Sequence, residues 1–173
     1  MTSLYHQTVP VLTKYLRNLS GIIAKGETWV KDGNQTEEEL LAFRLHPDMR
    51  GLPYQVQSCC NTAKFLLPRL GKLPDTYFPD DETTFAALQH RIATTIDLLQ
   101  TLPEHAFDGK EAEQVLIETK QMGSFKFTGL GYVRDYTVPY FHFHLTSAYC
   151  ILRHLGVDVG AFDYLGRDTF VKV

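Results

Sequence analysis

Apolar side chains return every three to five positions along four separate stretches of this chain, the spacing of amphipathic helices rather than the alternation of strands. The first sets Leu4, Val9, Leu12, Leu16, Leu19, Ile22 and Ile23 against Lys14, Arg17, Asn18 and Lys25, and predicts a helix over 4–31. Ser3 is placed to cap it, and Pro10 falls one turn inside, where a missing donor is tolerated or bends the helix slightly. Asp32-Gly-Asn-Gln breaks the pattern, after which Thr36-Glu-Glu-Glu39 has the form of a capping box and opens a short helix to about Phe43. The second stripe, Leu52, Val56, Cys59, Cys60, Ala63, Leu66, Leu67 and Leu70, predicts a helix over 50–71 closed by Gly71, with Gln55 at the stripe's edge.

Asp80-Asp81-Glu82 then places acids where a helix N-terminus favours them, predicting a third helix over 81–101 with Phe85, Leu88, Ile92, Ile96 and Leu99 inward. Between 103 and 127 the pattern changes: Pro103 and Asp108-Gly109 interrupt it, and the β-branched and aromatic content predicts a short extended or hairpin excursion. The fourth helix spans 129–155, kinked or restarted at Pro139 and ended by Gly156, and the tail from 157 to 173 reads as irregular. Four such stripes predict an all-α four-helix bundle with a hairpin excursion before the last helix. At 173 residues the chain suits one domain over 1–173 and is too short for two.

Composition narrows the partners. With 44% hydrophobic and 21% charged residues and no membrane-length apolar run, the expectation is a soluble globular protein without a membrane partner. The formal charge of -3 and dispersed basic residues argue against nucleic acid. The N-terminus lacks the basic and apolar regions of a signal peptide, which makes the cytoplasm the expected compartment. Cys59, Cys60 and Cys150 form neither a disulfide framework nor a Cys-x-x-Cys pair, and an inert buried thiol is the expectation for Cys59.

The chemistry concentrates in Tyr140-Phe-His-Phe-His-Leu-Thr-Ser-Ala-Tyr149. On a helix His144 falls among Thr137, Ala148, Ile151 and Leu155 and points inward, whereas His142 lies about 160° away beside Tyr149 and Arg153. The two cannot share an ion, because ligand pairs on one helix need i,i+3 or i,i+4 spacing. Tyr140 and Ser147 share the face of His144 and supply an acid and a hydroxyl within reach. Asp48 reads as an N-cap of the second helix, as a carboxylate facing His144 with Gln55 across the bundle mouth, or as both. Arg50 could hold an anion, and Tyr54 and His46, a further base or ligand, belong to the same loop-to-helix junction. Phe143 and Cys150 fall on the outer face of the last helix, where a homodimer would cover them.

Several blocks carry a family resemblance: Ser3-Leu-Tyr5, Leu45-His-Pro-Asp-Met49, Gln55-Val-Gln57, Ala63-Lys64, Phe85, Leu88 and Arg91-Ile-Ala-Thr-Thr95, then Phe127-Thr-Gly129, Phe143-His-Leu145, Ala148-Tyr-Cys-Ile-Leu-Arg-His154 and Leu165-Gly166. Across nearly its whole length the chain resembles the DinB/YfiT-like four-helix-bundle superfamily, and more closely an uncharacterised branch found in bacteria and fungi. The resemblance implies a metal-dependent hydrolase or thiol transferase with three histidines, one on the second helix and an His-x-x-x-His pair on the last. Here those positions hold Gln55, Tyr140 and His144, and a carboxamide and a phenol are poor ligands for zinc or nickel.

The expectation is therefore an enzyme of isomerase, lyase or cyclase type acting on a small molecule without a cofactor. His144, Tyr140 and Asp48 are its catalytic residues, and Gln55, His46, Arg50, Tyr54 and Ser147 its binding residues. Two alternatives stay open. One is the metal-dependent chemistry of the superfamily, with a divalent zinc or nickel held by His144, Asp48 and His46. The other is a non-catalytic dimeric binding or scaffold protein.

Overall fold

The computed structural model describes residues 3–119 and 123–172. Helix α1 spans Leu4–Lys31 as its pattern predicts, capped by the Ser3 hydroxyl and carrying Pro10 within its first two turns. Helix α2, Glu37–Ala42, opens on the expected capping box between Thr36 and Glu39. The second long stripe divides into α3, Leu52–Lys64, and α4, Leu66–Arg69. Pro68 accounts for the break, since it has no N–H for the Lys64 carbonyl and its ring crowds that oxygen. Helix α3 starts two residues later than predicted, with Gly51 rather than Asp48 at its N-cap and no side-chain cap bond. Gly51 is required there, because a Cβ would stand 2.7 Å from the Leu41 carbonyl oxygen.

Helix α5 runs Phe85–Gln100, capped by Thr84. The acids at 80–82 lie ahead of it: Asp80 and Glu82 turn to the buried Arg91 guanidinium, a stronger partner than a helix dipole. Ile96, expected inward, is half-buried at the core's edge, while Thr95 is fully buried. The hairpin forms as predicted, β1 Gln114–Thr119 against β2 Gly123–Thr128, antiparallel with Ile117 opposite Phe125; its turn at 120–122 lies outside the described residues.

The last helical stretch is in three parts. Helix α6, Gly129–Gly131, leads into a π-helical turn over Tyr132–Thr137 and then α7, Val138–His154. Pro139 cannot donate to the Asp135 carbonyl, and the turn before it widens. Gly156 ends the helix with φ +98°, a conformation only glycine adopts freely. The tail is not wholly irregular. Helix α8, Ala161–Leu165, is tied to α1 by Lys25 on Asp163 at 2.8 Å and by Asn18 donating to the Tyr164 carbonyl at 2.9 Å. It is too short for its periodicity to show in the sequence.

Helices α1, α3, α5 and α7 form the bundle, α3 packing on α7 and α5, and α1 on α5. The core joins Leu12, Leu16 and Leu19 of α1 to Val56, Cys59 and Ala63 of α3, Leu88 and Ile92 of α5, and Phe141, Leu145 and Ala148 of α7. Among the described residues no helix is long and apolar enough to cross a membrane.

Candidate functional site

The face of α3 beside the core stripe carries a second line of residues at helical spacing. Arg50, Tyr54, Ser58, Thr62, Phe65 and Arg69 succeed one another every three or four positions from the residue before Gly51 to the end of α4. They floor a groove of about 570 Å³. Tyr136 of the π-helical turn and Tyr140 of α7 form one wall, Ile117, Glu118 and Thr119 of β1 another, and Asp80 closes one side. Ser58 and Thr62 are buried in the floor, while Tyr54 at its edge is exposed.

Behind Tyr54 and Tyr140 lies His144, only 4% exposed. The Tyr140 ring meets the imidazole edge-on at 4.5 Å between centroids and Tyr54 at 5.7 Å. Gln55 Nε2 donates to the Arg50 carbonyl at 2.9 Å, which turns the amide oxygen toward His144 Nδ1 at 2.7 Å. An acceptor opposite Nδ1 requires the proton there. Nε2 is then a lone-pair acceptor, and it is buried without a hydrogen-bond partner among the described residues. Burial lowers the His144 pKa to about 4. Desolvation, with the neighbouring Tyr54 phenol, pushes Tyr140 up to about 12. Near neutrality the imidazole is an uncharged acceptor and the phenol a protonated donor.

The structure thus brings together five of the expected residues: Arg50, Tyr54 and Tyr140 on the groove, Gln55 and His144 directly behind it. It corrects the others. Asp48 bonds His46 within an exposed turn, and neither caps α3 nor orients the imidazole, whose Nδ1 is taken by Gln55 and whose Nε2 has no partner. Those two side chains are drawn to each other because both sit in solvent two positions apart. The Ser147 hydroxyl turns back to the Phe143 carbonyl at 2.8 Å, as serine within a helix commonly does. His142 is engaged by the Tyr164 hydroxyl at 3.0 Å and the Tyr15 ring. Cys59 is fully buried with its thiol pKa raised well above the usual value by desolvation, which removes it as a nucleophile. Phe143 is 60% exposed and Cys150 half-buried, on the outer face of α7.

Apart from Arg50, Tyr54 and Tyr140, the groove went unnoticed in the sequence, Ser58, Thr62, Phe65, Arg69 and Tyr136 among it. The available signal was the line parallel to the apolar stripe of α3, together with tyrosines at 132, 136 and 140 leading to His144 at steps of four.

No group of three or more His, Cys, Asp or Glu side chains suited to a metal gathers among the described residues, so His144, Asp48 and His46 are not a ligand set. Nor do Gln55, Tyr140 and His144 fit zinc or nickel. The Gln55 oxygen is committed to the imidazole N–H, and a phenol held up at about 12 is a neutral, weak donor.

Residues 4–165 match the family described as a domain of unknown function, DUF1993. Among solved structures, the crystal structure of a DinB family member protein from Shewanella denitrificans is similar with a TM-score of 0.86 and 35% identity, covering 98% of this chain and 96% of that one. No curated protein matches the chain.

Proposed function

The chain belongs to the DUF1993 family and has a DinB-like helical fold, and on that premise we propose that its groove binds a small organic molecule and acts on it by acid–base chemistry. The observation that carries this reading is the buried, unpartnered Nε2 of His144 beside the two phenols of the groove. An unmet buried acceptor costs about 1–3 kcal/mol, and such groups concentrate where a ligand or a reaction uses them.

The arrangement suits proton removal next to a carbonyl. The Tyr140 phenol, with Tyr54 beside it, donates a hydrogen bond to the carbonyl oxygen. His144 Nε2 takes the proton from the adjacent carbon, and the electron pair of that C–H bond moves into an enolate held by the phenol. Return of the proton to a different carbon completes an isomerisation, and loss of a leaving group completes an elimination. A base with a pKa near 4 is weak, so the substrate proton must be acidified by the carbonyl. Tyr54, 40% exposed, is the ring whose displacement admits a ligand.

The test is turnover of small carbonyl compounds by wild type and His144→Gln, with the imidazole nitrogens followed by long-range ¹H–¹⁵N spectra. Loss of turnover with the fold retained supports the reading; turnover insensitive to His144 removes it. A second reading, a binding protein without chemistry, is favoured by His144 lying behind the groove rather than lining it. Compounds that bind and return unchanged, whatever residue stands at 144, would establish that one. The metal-dependent alternative lacks a ligand set among the described residues.

A further inference from the structure

Three cations are withdrawn from solvent along α3, α4 and α5: Lys64, Arg69 and Arg91. Two of them have carboxylates. Lys64 meets Asp75 at 2.9 Å, and Arg91 meets Asp80 at 2.6 Å and Glu82 at 2.7 Å. Arg69 forms no ion pair among the described residues. Its guanidinium lies 4.1 Å over the Phe65 ring and 5.7 Å from Tyr132, and Nη1 donates to the Tyr132 hydroxyl at 3.1 Å. The Tyr136 phenol lies near enough for the same charge to act on it. Among the described residues neutral groups alone therefore position a half-buried charge of the kind that Asp75, Asp80 and Glu82 balance at Lys64 and Arg91. Its five N–H donors form a planar fork that matches a carboxylate or a phosphate, and the bond to Tyr132 leaves donors spare.

The surroundings define what is attached to such an anion. Tyr136 stacks on Tyr140 at 5.1 Å between centroids and 12° between planes and on Tyr132 at 5.8 Å and 18°, so that wall offers a ligand aromatic edges, against which a second ring packs edge to face. At Tyr136 the groove adjoins an apolar cleft of about 220 Å³ beside Ile117, Phe125 and Phe127. We propose that Arg69 is the anion-binding residue of the groove and that the compound it takes is an aromatic organic anion, its charge on Arg69 and its ring against Tyr136 and the hairpin. This rests on the reading of the groove as a ligand site and adds the compound's class.

The experiment titrates the intact protein with 3-phenylpropionate, phenyl phosphate and the uncharged 3-phenylpropanol, read by calorimetry at low and high salt. At least one anion is expected to bind about tenfold or more tightly than the alcohol and to weaken with salt. Arg69→Gln brings that anion down to the level of the alcohol, and Arg69→Lys restores part of the difference. Whichever anion binds more tightly identifies the carboxylate or the phosphate as the group recognised. The proposal is overturned if the alcohol binds as well as both anions, if Arg69→Gln leaves anion affinity unchanged, or if no probe binds at millimolar concentration. The wild-type comparison of anion with alcohol stands even if the variants fold poorly. The imidazole signals of His144 separate this proposal from the acid–base reading. Arg69-dependent binding that never moves them upholds the anion site and counts against the chemistry, whereas a response at His144 that Arg69→Gln does not alter does the reverse.

Discussion

Gln55 and His144 form one buried pair across the bundle, the imidazole Nδ1–H donating to the amide oxygen at 2.7 Å between residues 89 positions apart. The amide is itself fixed, because its N–H donates to the Arg50 carbonyl at 2.9 Å. One side chain on α3 thereby decides which nitrogen of a side chain on α7 carries the proton. The opposite nitrogen is left as an acceptor with no partner among the described residues.

Replacing Gln55 by Glu sets an anion where the amide oxygen stands. The His144 pKa, held near 4 by burial, is expected to rise, because an adjacent carboxylate favours the imidazolium. Gln55→Leu leaves the Nδ1–H and the Arg50 carbonyl unpaired and should cost about 1–3 kcal/mol of stability. An NMR titration of the ring checks the first expectation and denaturant melts the second. An unmoved pKa in Gln55→Glu would mean that the two side chains do not meet.

His144 also makes stability depend on pH. Its folded pKa, about 4, is below the 6.5 of an ordinary imidazole, so the unfolded chain takes up a proton that the folded chain refuses. The stability it contributes is therefore present above about pH 6.5 and is lost as pH falls toward 4. With allowance for solvent in the adjoining groove, the loss is on the order of 2 kcal/mol. Denaturant melts from pH 4 to 7 should show the wild type losing more stability than His144→Gln on acidification. Parallel profiles would count against the burial of the ring.

The helical stripes were legible because burial of one helix face writes itself into the sequence at a period of 3.6. The restart at Pro139 is legible from the proline itself, whereas the division at Phe65 and the π-helical turn over Tyr132–Thr137 are not, since a proline's effect on the preceding turn depends on what the neighbouring helix allows. His144 could be read as inward from its place among Ile151 and Leu155, and Tyr140 from its i-4 spacing. Asp48 misled, because a carboxylate ahead of a helix looks like a cap whether or not the turn brings it round, and here Gly51 begins the helix. Arg69 was invisible as a site residue. Only the fold shows that Lys64 and Arg91 receive carboxylates and that Arg69 meets none among the described residues.

Arg91 is 2% exposed in its side chain and holds Asp80 and Glu82, while Asn61 accepts a bond from it at 2.8 Å. Asp80 has φ +56°, a sparsely populated conformation that these contacts maintain. Removing one partner of a buried ion pair strands the others, so Arg91→Leu should destabilise the fold by about 3–5 kcal/mol. Hydrogen exchange should rise first in residues 72–84, which Arg91 and Lys64 fasten to the bundle. A loss below 1 kcal/mol would show that packing rather than charge secures that segment.

For any reaction found in the groove, His144→Ala is expected to lower the saturated rate about a hundredfold to ten-thousandfold, the usual contribution of a positioned base. Tyr140→Phe should lower it less, since Tyr54 still offers a phenol, and His90→Ala, at an exposed position of α5 away from the groove, should change little. Melting curves must accompany the rates, because His144→Ala also opens a cavity and strands the Gln55 oxygen. The pH profile then discriminates between a catalytic and a merely structural histidine. With the imidazole pKa near 4 and the Tyr140 phenol near 12, activity should stay level between roughly pH 5.5 and 9 and fall on the acid side only as His144 protonates. An acid limb near pH 6.5 that persists in His144→Gln would assign the titrating group elsewhere, and with it the base.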